Sequence, residues 1–543
     1  MQENISLPEF DYFWEYVRYW AEQDPDFPTL RYQNQIITAA EFEHKSLQLA
    51  KHMIKAGINK GDRIVTVIPC HPEYMIIFTA CSMIGAIIVP LDVRYRFQDF
   101  LSQLPILEPK WIISLVETTK DSETIKFDEI LNQIKNTETN LGMTELYFLD
   151  ESKYGKNYGE LFSQSIDRHE IYETLPQQTS NDNTLIIWTG GTTGLPKAAL
   201  LSHKNVVRMC YLEDQFIRKI IQSQGVNGRT KLLANLPVSH VGGTVEIIGV
   251  GVVGGHEIIF HDRWSASATL KTIHDERISF YLGAPTMYRL MMKSENFEEY
   301  DLSHLKLAMI SGEIVNSEYM GLMRKYFSET IINGYGSTEI GPEVTFTEGL
   351  SDYEKITVGY VGKPLSGVNI IIQDLHGKTL GTNQIGEVLV KGDLVCNGYF
   401  RNEEATKNAF SSDGYFHSGD LGKFDSNGGL WLTGRIKEVI RVGTYTVLPQ
   451  EIEEVVFNKF ELEMAAAFSA PNELLGEVVW LAITPKNNKT YTEEEIVSVC
   501  KTQLADYKVP KKVIFYTIDP SNPPMTRIGK IDRRRIRSEI LSH

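Results

Sequence analysis

Residues 74–91 read YMIIFTACSMIGAIIVPL, a stretch without one charged side chain. Such a run has two possible homes: the hydrocarbon of a membrane, or the two-sided interior of a helix-covered sheet. Gly85 and Pro90 interrupt it, and its IIVPLD end has the β-branched density of a strand. The run therefore predicts a buried helix running into a buried strand, part of a βαβ unit, and no integral membrane association.

Its neighbours extend the pattern. AAEFEHKSLQLAKHMIKAG (39–57) sets Phe42, Leu47, Leu49 and Ile54 near one helical face and stops at Gly57, and GDRIVTVIP (61–69) is a short strand. Residues 117–183 are more polar and read as surface elements and loops. Strand-like runs return at LIIW (185–188), KLLANLPV (231–238), EIIF (257–260), ISFYLGAP (278–285) and LKLAMISG (305–312). Several end in Gly or Ser, where parallel sheets open to ligands. From about 355, short strands with Gly turns suggest a smaller β-rich subdomain. The last hundred or so residues suggest a separate α+β unit. The expected fold class is α/β: a large N-terminal domain (1–434) of helix-covered mixed sheets with a β-rich subdomain, and a small mobile α+β C-terminal lid (435–543). A chain of 543 residues is too long for one core.

The net charge of −16 argues against a nucleic-acid partner and against an electrostatic grip on anionic lipid. The five cysteines are scattered, odd in number and form no CxxC, as expected of reduced core thiols. MQENISLPEFDYFWEY is acidic and aromatic and does not read as a leader. The expected location is cytoplasmic.

Four stretches carry chemistry. TGGTTGLPK (189–197) follows an apolar strand and combines glycines, which let backbone N–H groups approach oxygens closely, with hydroxyl donors and a lysine. It is not a Walker loop, since Pro196 precedes Lys197 and Ala198 follows it. Taken alone it also has a plainer reading, a Gly/Thr-rich hairpin turn. NGYGSTEIGP (333–342) offers an aromatic to stack on a base (Tyr335), a hydroxyl for a phosphate (Thr338) and a carboxylate for Mg²⁺ (Glu339). In HSGDLG (417–422), Asp420 suits two ribose hydroxyls, with Arg435 of TGRIK as a further donor. PPMTRIGKIDRRRIR (523–537) presents Lys530 on a loop ahead of a helix, and its RRRIR run reads as a solvated helix face.

In this order, with GDRIVTVIPCHPEYMIIFTACSMIGAIIVPLDVRY, NLPVSH, GAPTMY, GYFRNEEATKNAF, GRIKEVIRVG and PQEIE between and around them, these motifs resemble the adenylate-forming superfamily over nearly the whole chain. That superfamily includes acyl-CoA synthetases, adenylation domains of nonribosomal peptide synthetases and beetle luciferases. The resemblance implies that a carboxylate attacks the α-phosphate of ATP, that pyrophosphate leaves, and that the acyl-adenylate passes to the thiol of CoA or of a phosphopantetheine carrier protein. It places Thr189, Gly190, Gly191, Thr192, Thr193, Gly194 and Lys197 around the departing phosphates. Gly312, Glu313, Asn333, Gly334, Tyr335, Gly336, Ser337 and Thr338 fall around the nucleotide, with Asp420 and Arg435 at the ribose. Mg²⁺ falls on Glu339, and the catalytic set is Lys530 with His240 and Thr338, His240 closing the mouth of the acyl site. Lys437 matches the hinge of a rotating lid.

The sequence departs from the family pattern in three places. Gly190 replaces a more usual Ser, and Ala198 a glycine. Thr444 stands where most relatives have the glycine that lines the thiol tunnel, one residue after Gly443. The acceptor therefore stays open among CoA, a carrier protein and an amine. NLPVSHVGG lacks the carboxylate that holds an α-ammonium, which disfavours α-amino acids and leaves aryl and fatty acyl acids. The four glycines of GVGVVGGHEIIF (249–260) read either as room for such a group or as close helix packing. A non-catalytic nucleotide-binding scaffold is the rival of another class.

Overall fold

The computed structural model describes residues 7–120, 123–137, 141–163, 165–189, 196–312, 317–347, 359–443, 445–486, 489–519, 523–524 and 531–542. The charge-free run forms the helix Pro72–Ile84 and the strand Ile87–Pro90. Pro72 opens the helix, the His71 side chain accepts from Glu73 N, and Gly85 at φ 72° ends it in a left-handed turn open to glycine at little cost. Every residue from Tyr74 to Ile84 is buried, as is the whole strand. That all-round burial is why no charge is tolerated: a Phe78→Ala cavity alone would cost about 3–5 kcal/mol. Among the described residues no helix is long and apolar enough to cross a membrane.

The strand Arg63–Val67 lies parallel between Ile87–Pro90 and Trp111–Ser114, with Ile64 opposite Ile88 and Trp111. These belong to a seven-stranded sheet that ends in the antiparallel pair Asn183–Thr189 and Lys197–Ser202. The helix Ala39–Lys55 covers it and starts in a reciprocal cap: Glu41 N donates to Thr38 Oγ1 at 3.2 Å, and Thr38 N to Glu41 Oε2 at 2.9 Å. Such a cap stabilises by about 1 kcal/mol. Its buried stripe includes Phe42, Ser46, Leu47, Leu49, Ala50 and Met53. Ile54 is exposed, because the helical period turns it away from that stripe.

A thirteen-stranded sheet holds the other expected strands. Glu257–Phe260, Lys231–Ala234, Phe280–Gly283, Leu307–Ser311 and Ile331–Ser337 run parallel at its centre. The β-rich part after residue 355 is not a sheet of its own. Tyr360–Pro364 pairs with Gly341–Phe346, so Leu430–Arg435, Phe416–Phe424, Gly386–Gly392 and Val368–Gln373 extend the same sheet. Nor is 117–183 only surface: Phe127, Leu131 and Ile134 pack into a core, and Glu145–Phe148 joins the seven-stranded sheet.

Between Arg435 and Ile440 the chain leaves the large sheet and enters a five-stranded one with its own apolar core, including Ile440, Ile452, Leu481 and Ile483. The helix Arg533–Leu541 packs on the far face through Ile536. Its arginines are not simply solvated. Arg533 Nη2 meets Glu453 at 2.6 Å and its Nη1 meets Glu438 at 3.2 Å, while Arg537 Nε donates to Ser469 O at 2.8 Å.

Candidate active site

Three segments distant in sequence meet at Tyr399. Thr189 and Lys197 face each other where the strands Asn183–Thr189 and Lys197–Ser202 pair, at the base of the Gly/Thr-rich loop. Gly190, Gly191, Thr192, Thr193 and Gly194 of that loop lie outside the described residues. The Lys197 ammonium sits over the Tyr399 ring, 4.8 Å from its centre. The Tyr399 hydroxyl donates to Glu339 Oε1 at 3.1 Å. Backbone bonds fix this meeting: Leu200 N to Gly398 O at 2.9 Å, Phe400 N to Ala198 O at 2.8 Å and Cys396 N to Glu339 O at 2.8 Å. Burial, then Glu339, raises the Tyr399 hydroxyl above the usual phenol range, so it remains a donor.

Glu339 and Thr338 sit on the turn between Ile331–Ser337 and Gly341–Phe346. A Cβ at Gly336 would collide with Pro342 O, so the turn closes only with glycine. Ser337 is half-buried and Thr338 buried. One strand position earlier, the buried Tyr335 donates its hydroxyl to Asp420 Oδ2 at 2.8 Å. Asp420 lies opposite Arg435 across the sheet, and Arg435 Nε meets its Oδ1 at 2.9 Å. The ring that the sequence suggested for stacking is thus in the core, tied by its hydroxyl to the same carboxylate. Burial and then Asp420 raise the Tyr335 hydroxyl well above its usual range, and Asp420 first of all raises Arg435. Glu339 also acts on Arg435, which joins this group to the Tyr399 group.

Lys437 lies just beyond, on the turn Ile436–Glu438. Burial, then the positive fields of Lys197, Arg534 and Arg435, hold its ammonium below the usual lysine range. Four cations from the start of the strand Lys197–Ser202, the large sheet, the connecting turn and the last helix therefore share one region.

Other expected residues are placed differently. Asn333 is a buried anchor, its Nδ2 donating to Tyr360 O at 3.2 Å and its N to Thr347 Oγ1 at 3.0 Å. Gly334 faces Ser311 in register, and Gly312, at φ 89°, follows that strand's end. His240 is exposed, and its Nδ1 accepts from Gly242 N at 3.1 Å, which assigns the proton of the neutral ring to Nε2. Gly443, at φ 59°, donates its N to Leu475 O at 2.9 Å in the small domain. Lys530, Glu313 and Thr444 lie outside the described residues. The glycines 249–255 do not provide room. A Cβ at Gly249 would stand 2.6 Å from Cys210 Sγ and one at Gly251 2.6 Å from Ile258, while Gly254 and Gly255 abut Asp214 and Trp20. Close helix packing explains all four.

Sequence reasoning missed Tyr399 and Arg534, although both lie inside quoted motifs. It also missed a carboxyl cluster. Glu246 lies on the π-helical stretch Gly242–Gly249 that follows His240, Glu343 on Gly341–Phe346, and Glu213 on the helix His203–Ser223. All three are buried.

The family profile of AMP-binding enzymes matches residues 17–400, and that of the AMP-binding enzyme C-terminal domain matches 451–530. A feruloyl-CoA synthase of Amycolatopsis sp is 26% identical over 519 residues, covering 95% of this chain and 96% of the relative. The crystal structure of ATP-bound MatB from Rhodopseudomonas palustris matches with a TM-score of 0.79 at 23% identity, over 96% of this chain and 98% of that one. The amide bond synthetase McbA from Marinactinospora thermotolerans matches with a TM-score of 0.81 at 21% identity, over 97% and 99%. At these identities the two structures share the fold.

Proposed function

Because the chain belongs to the AMP-binding enzyme family, we propose that it activates a carboxylic acid with ATP and passes the acyl group to CoA. The observation that carries the reading is the gathering of Lys197, Arg435 and Arg534 around Lys437, with Glu339 reached through Tyr399 and Arg435, in a protein whose net charge is −16. Crowded cations of one sign suit a polyanion. The similarity to a feruloyl-CoA synthase over 95% of the chain supports CoA as acceptor.

In this reading a carboxylate oxygen attacks the α-phosphorus, and the bond to the bridging oxygen of the β-phosphate breaks. The pyrophosphate leaves against the loop of Thr189–Lys197. Lys530 neutralises the two anions as they meet, and Asp420 with Arg435 orients the ribose. Glu339 fits a Mg²⁺ ion, which takes one or two carboxylates and fills its shell with phosphate oxygens and water. No group of three or more His, Cys, Asp or Glu is placed to cage a metal among the described residues. When bound, the ion supplies countercharge to the phosphates; Tyr399 holds Glu339 in place for it through Oε1. Residues 1–434 form the adenylating domain and 435–543 a lid that turns about Lys437. The five buried thiols, none in a disulfide, suit the cytoplasm.

The test is acid-dependent exchange of labelled pyrophosphate into ATP, followed by thioester formation on adding CoA. Lys530→Ala should lower exchange by about 100-fold or more while ATP still binds. Exchange without a thioester would refute CoA as acceptor. No exchange with any carboxylic acid would refute the activation itself.

A further inference from the structure

Glu246, Glu343 and Glu213 come from three different elements into one buried place, with relative exposures of 4%, 0% and 0%. Neither oxygen of Glu213 has a hydrogen-bond partner, and the Glu343 carboxyl stands beside Glu246 and the Ser311 hydroxyl without a well-formed bond to either. Burying carboxyls in this way is costly unless something pairs them. The cluster adjoins the reacting groups. A Cβ on Gly242 would lie 2.9 Å from Glu246 Oε2 and 3.1 Å from His240 Nδ1, so carboxyl and imidazole face each other across that glycine. The Glu343 carboxyl stands where a Gly334 side chain would be, directly against the strand that carries Tyr335. Glu213 is the independent element: a fully buried, unbonded side chain from another helix, whose carboxyl feels the charge of Glu246 and is itself felt by Glu343. The π-helical turns that present Glu246 are a rare conformation concentrated at functional sites.

We propose that the acid activated by this protein carries a cationic nitrogen remote from its carboxylate, and that Glu246, Glu343 and Glu213 receive it. This rests on the carboxylate-activating function proposed above. The three carboxyls do not converge as a metal cage. They suit an organic ammonium or guanidinium, whose several N–H donors spread to acceptors on different sides. The nitrogen is remote because the carboxylate must reach the phosphates near Lys197 and Glu339, whereas the three carboxyls are buried on Gly242–Gly249, Gly341–Phe346 and the helix His203–Ser223.

The experiment compares isosteric acid pairs in pyrophosphate exchange with the full chain: ε-aminohexanoate against heptanoate, and para-(aminomethyl)benzoate against para-ethylbenzoate. The expected result is that at least one amino acid of a pair is preferred by about 100-fold or more in kcat/KM, since a site with unpaired polar groups rejects the analogue that cannot pair them. Glu246→Gln and Glu343→Gln should each collapse that preference through KM, with the neutral partner gaining. Glutamine keeps the shape of a protonated glutamate, so both variants keep the fold, and matching circular dichroism and melting curves would verify it. Exchange that is equal or better with the neutral acids overturns this inference and leaves the activating function standing. A preference that survives in both variants overturns the assignment to these carboxyls. Exchange with no acid at all overturns the function and this inference with it.

Discussion

Glu213 and Asp214 are consecutive on one helix and both fully buried, yet the protein treats them in opposite ways. Asp214 Oδ2 accepts from Arg218 Nε at 2.6 Å and its Oδ1 pairs with His256 Nε2 at 2.8 Å. The network closes outward: Thr230 N donates to His256 Nδ1 at 3.0 Å, and Arg218 reaches Gly228 O at 3.1 Å and Gly254 O. Burial pushes Asp214 up, but His256 and then Arg218 outweigh it, and the carboxyl ends below its ordinary range. Glu213 has no such partner. Burial first, then Glu246 and Asp214, hold it well above the carboxylate range. A fold that supplies a complete network at one residue and none at the next has separated two tasks. The first acid fastens the helix His203–Ser223 to the large sheet; the second waits on something from outside the chain.

The comparison breaks most visibly at Asp214. Asp214→Asn leaves Arg218 buried without its counter-charge, and the expected loss is about 3–5 kcal/mol in urea unfolding. A loss under about 1 kcal/mol would mean that the network is incidental. Asp420 is an intermediate case: partnered like Asp214, but with an Arg435 side chain that is 42% exposed. Asp420→Asn should therefore act on ligand rather than fold. The expected effect is a rise of about tenfold or more in KM for ATP, about 1.4 kcal/mol or more, with a melting temperature close to that of the unaltered protein. A large drop in melting temperature with KM unchanged would move Asp420 into the class of Asp214.

Much of this was legible in the sequence, and what was not has a common cause. The helix Pro72–Ile84 and its strand were readable because burial on all sides excludes charge, and the central strands because β-branched runs ended in Gly or Ser. Glu339 and Asp420 were readable because each stands in a run of small residues, Glu339 on a turn and Asp420 on the strand Phe416–Phe424, where a carboxylate has little structural reason to be. Tyr399 was not, since its partner Glu339 is 60 residues away and only sheet pairing joins them. Glu213, Glu246 and Glu343 each sit in an ordinary amphipathic or apolar stretch, and nothing local reveals that three elements point them at one another. Ile54 failed for a smaller reason: apolar character placed it on a stripe that its helical phase does not reach.

The acid cluster also has a pH signature that Asp214 lacks. Burial raises Glu246 from its ordinary 4.5 to about 7, against a relief from Glu343. It faces Glu343 on the strand Gly341–Phe346 and Glu213, with Asp214 beside it, on the helix His203–Ser223. A folded-state value above the unfolded one means that the folded protein binds the proton more tightly. The stability so gained is whole below about pH 4.5 and is lost as pH rises through about 7. Glu246→Gln has no proton to lose, so in urea unfolding it should gain on the unaltered protein between about pH 5 and pH 7 and hold that gain above. A gap that does not move with pH would mean that Glu246 is ionised throughout and paired by a cation.

The smallest effect is the sharpest. Glu213→Gln replaces a carboxyl whose charge burial and its acidic neighbours disfavour by a neutral group of the same shape, also with unbonded polar atoms, so the expected change in stability at about pH 7 is within about 1 kcal/mol. Set beside Asp214→Asn on the next residue, this leaves a difference of several kcal/mol that burial cannot explain, since both side chains are wholly enclosed. Only the presence or absence of partners distinguishes them. If Glu213→Gln cost as much as Asp214→Asn, Glu213 would be a structural acid, and the case for a site that awaits a cation would fail at its innermost residue.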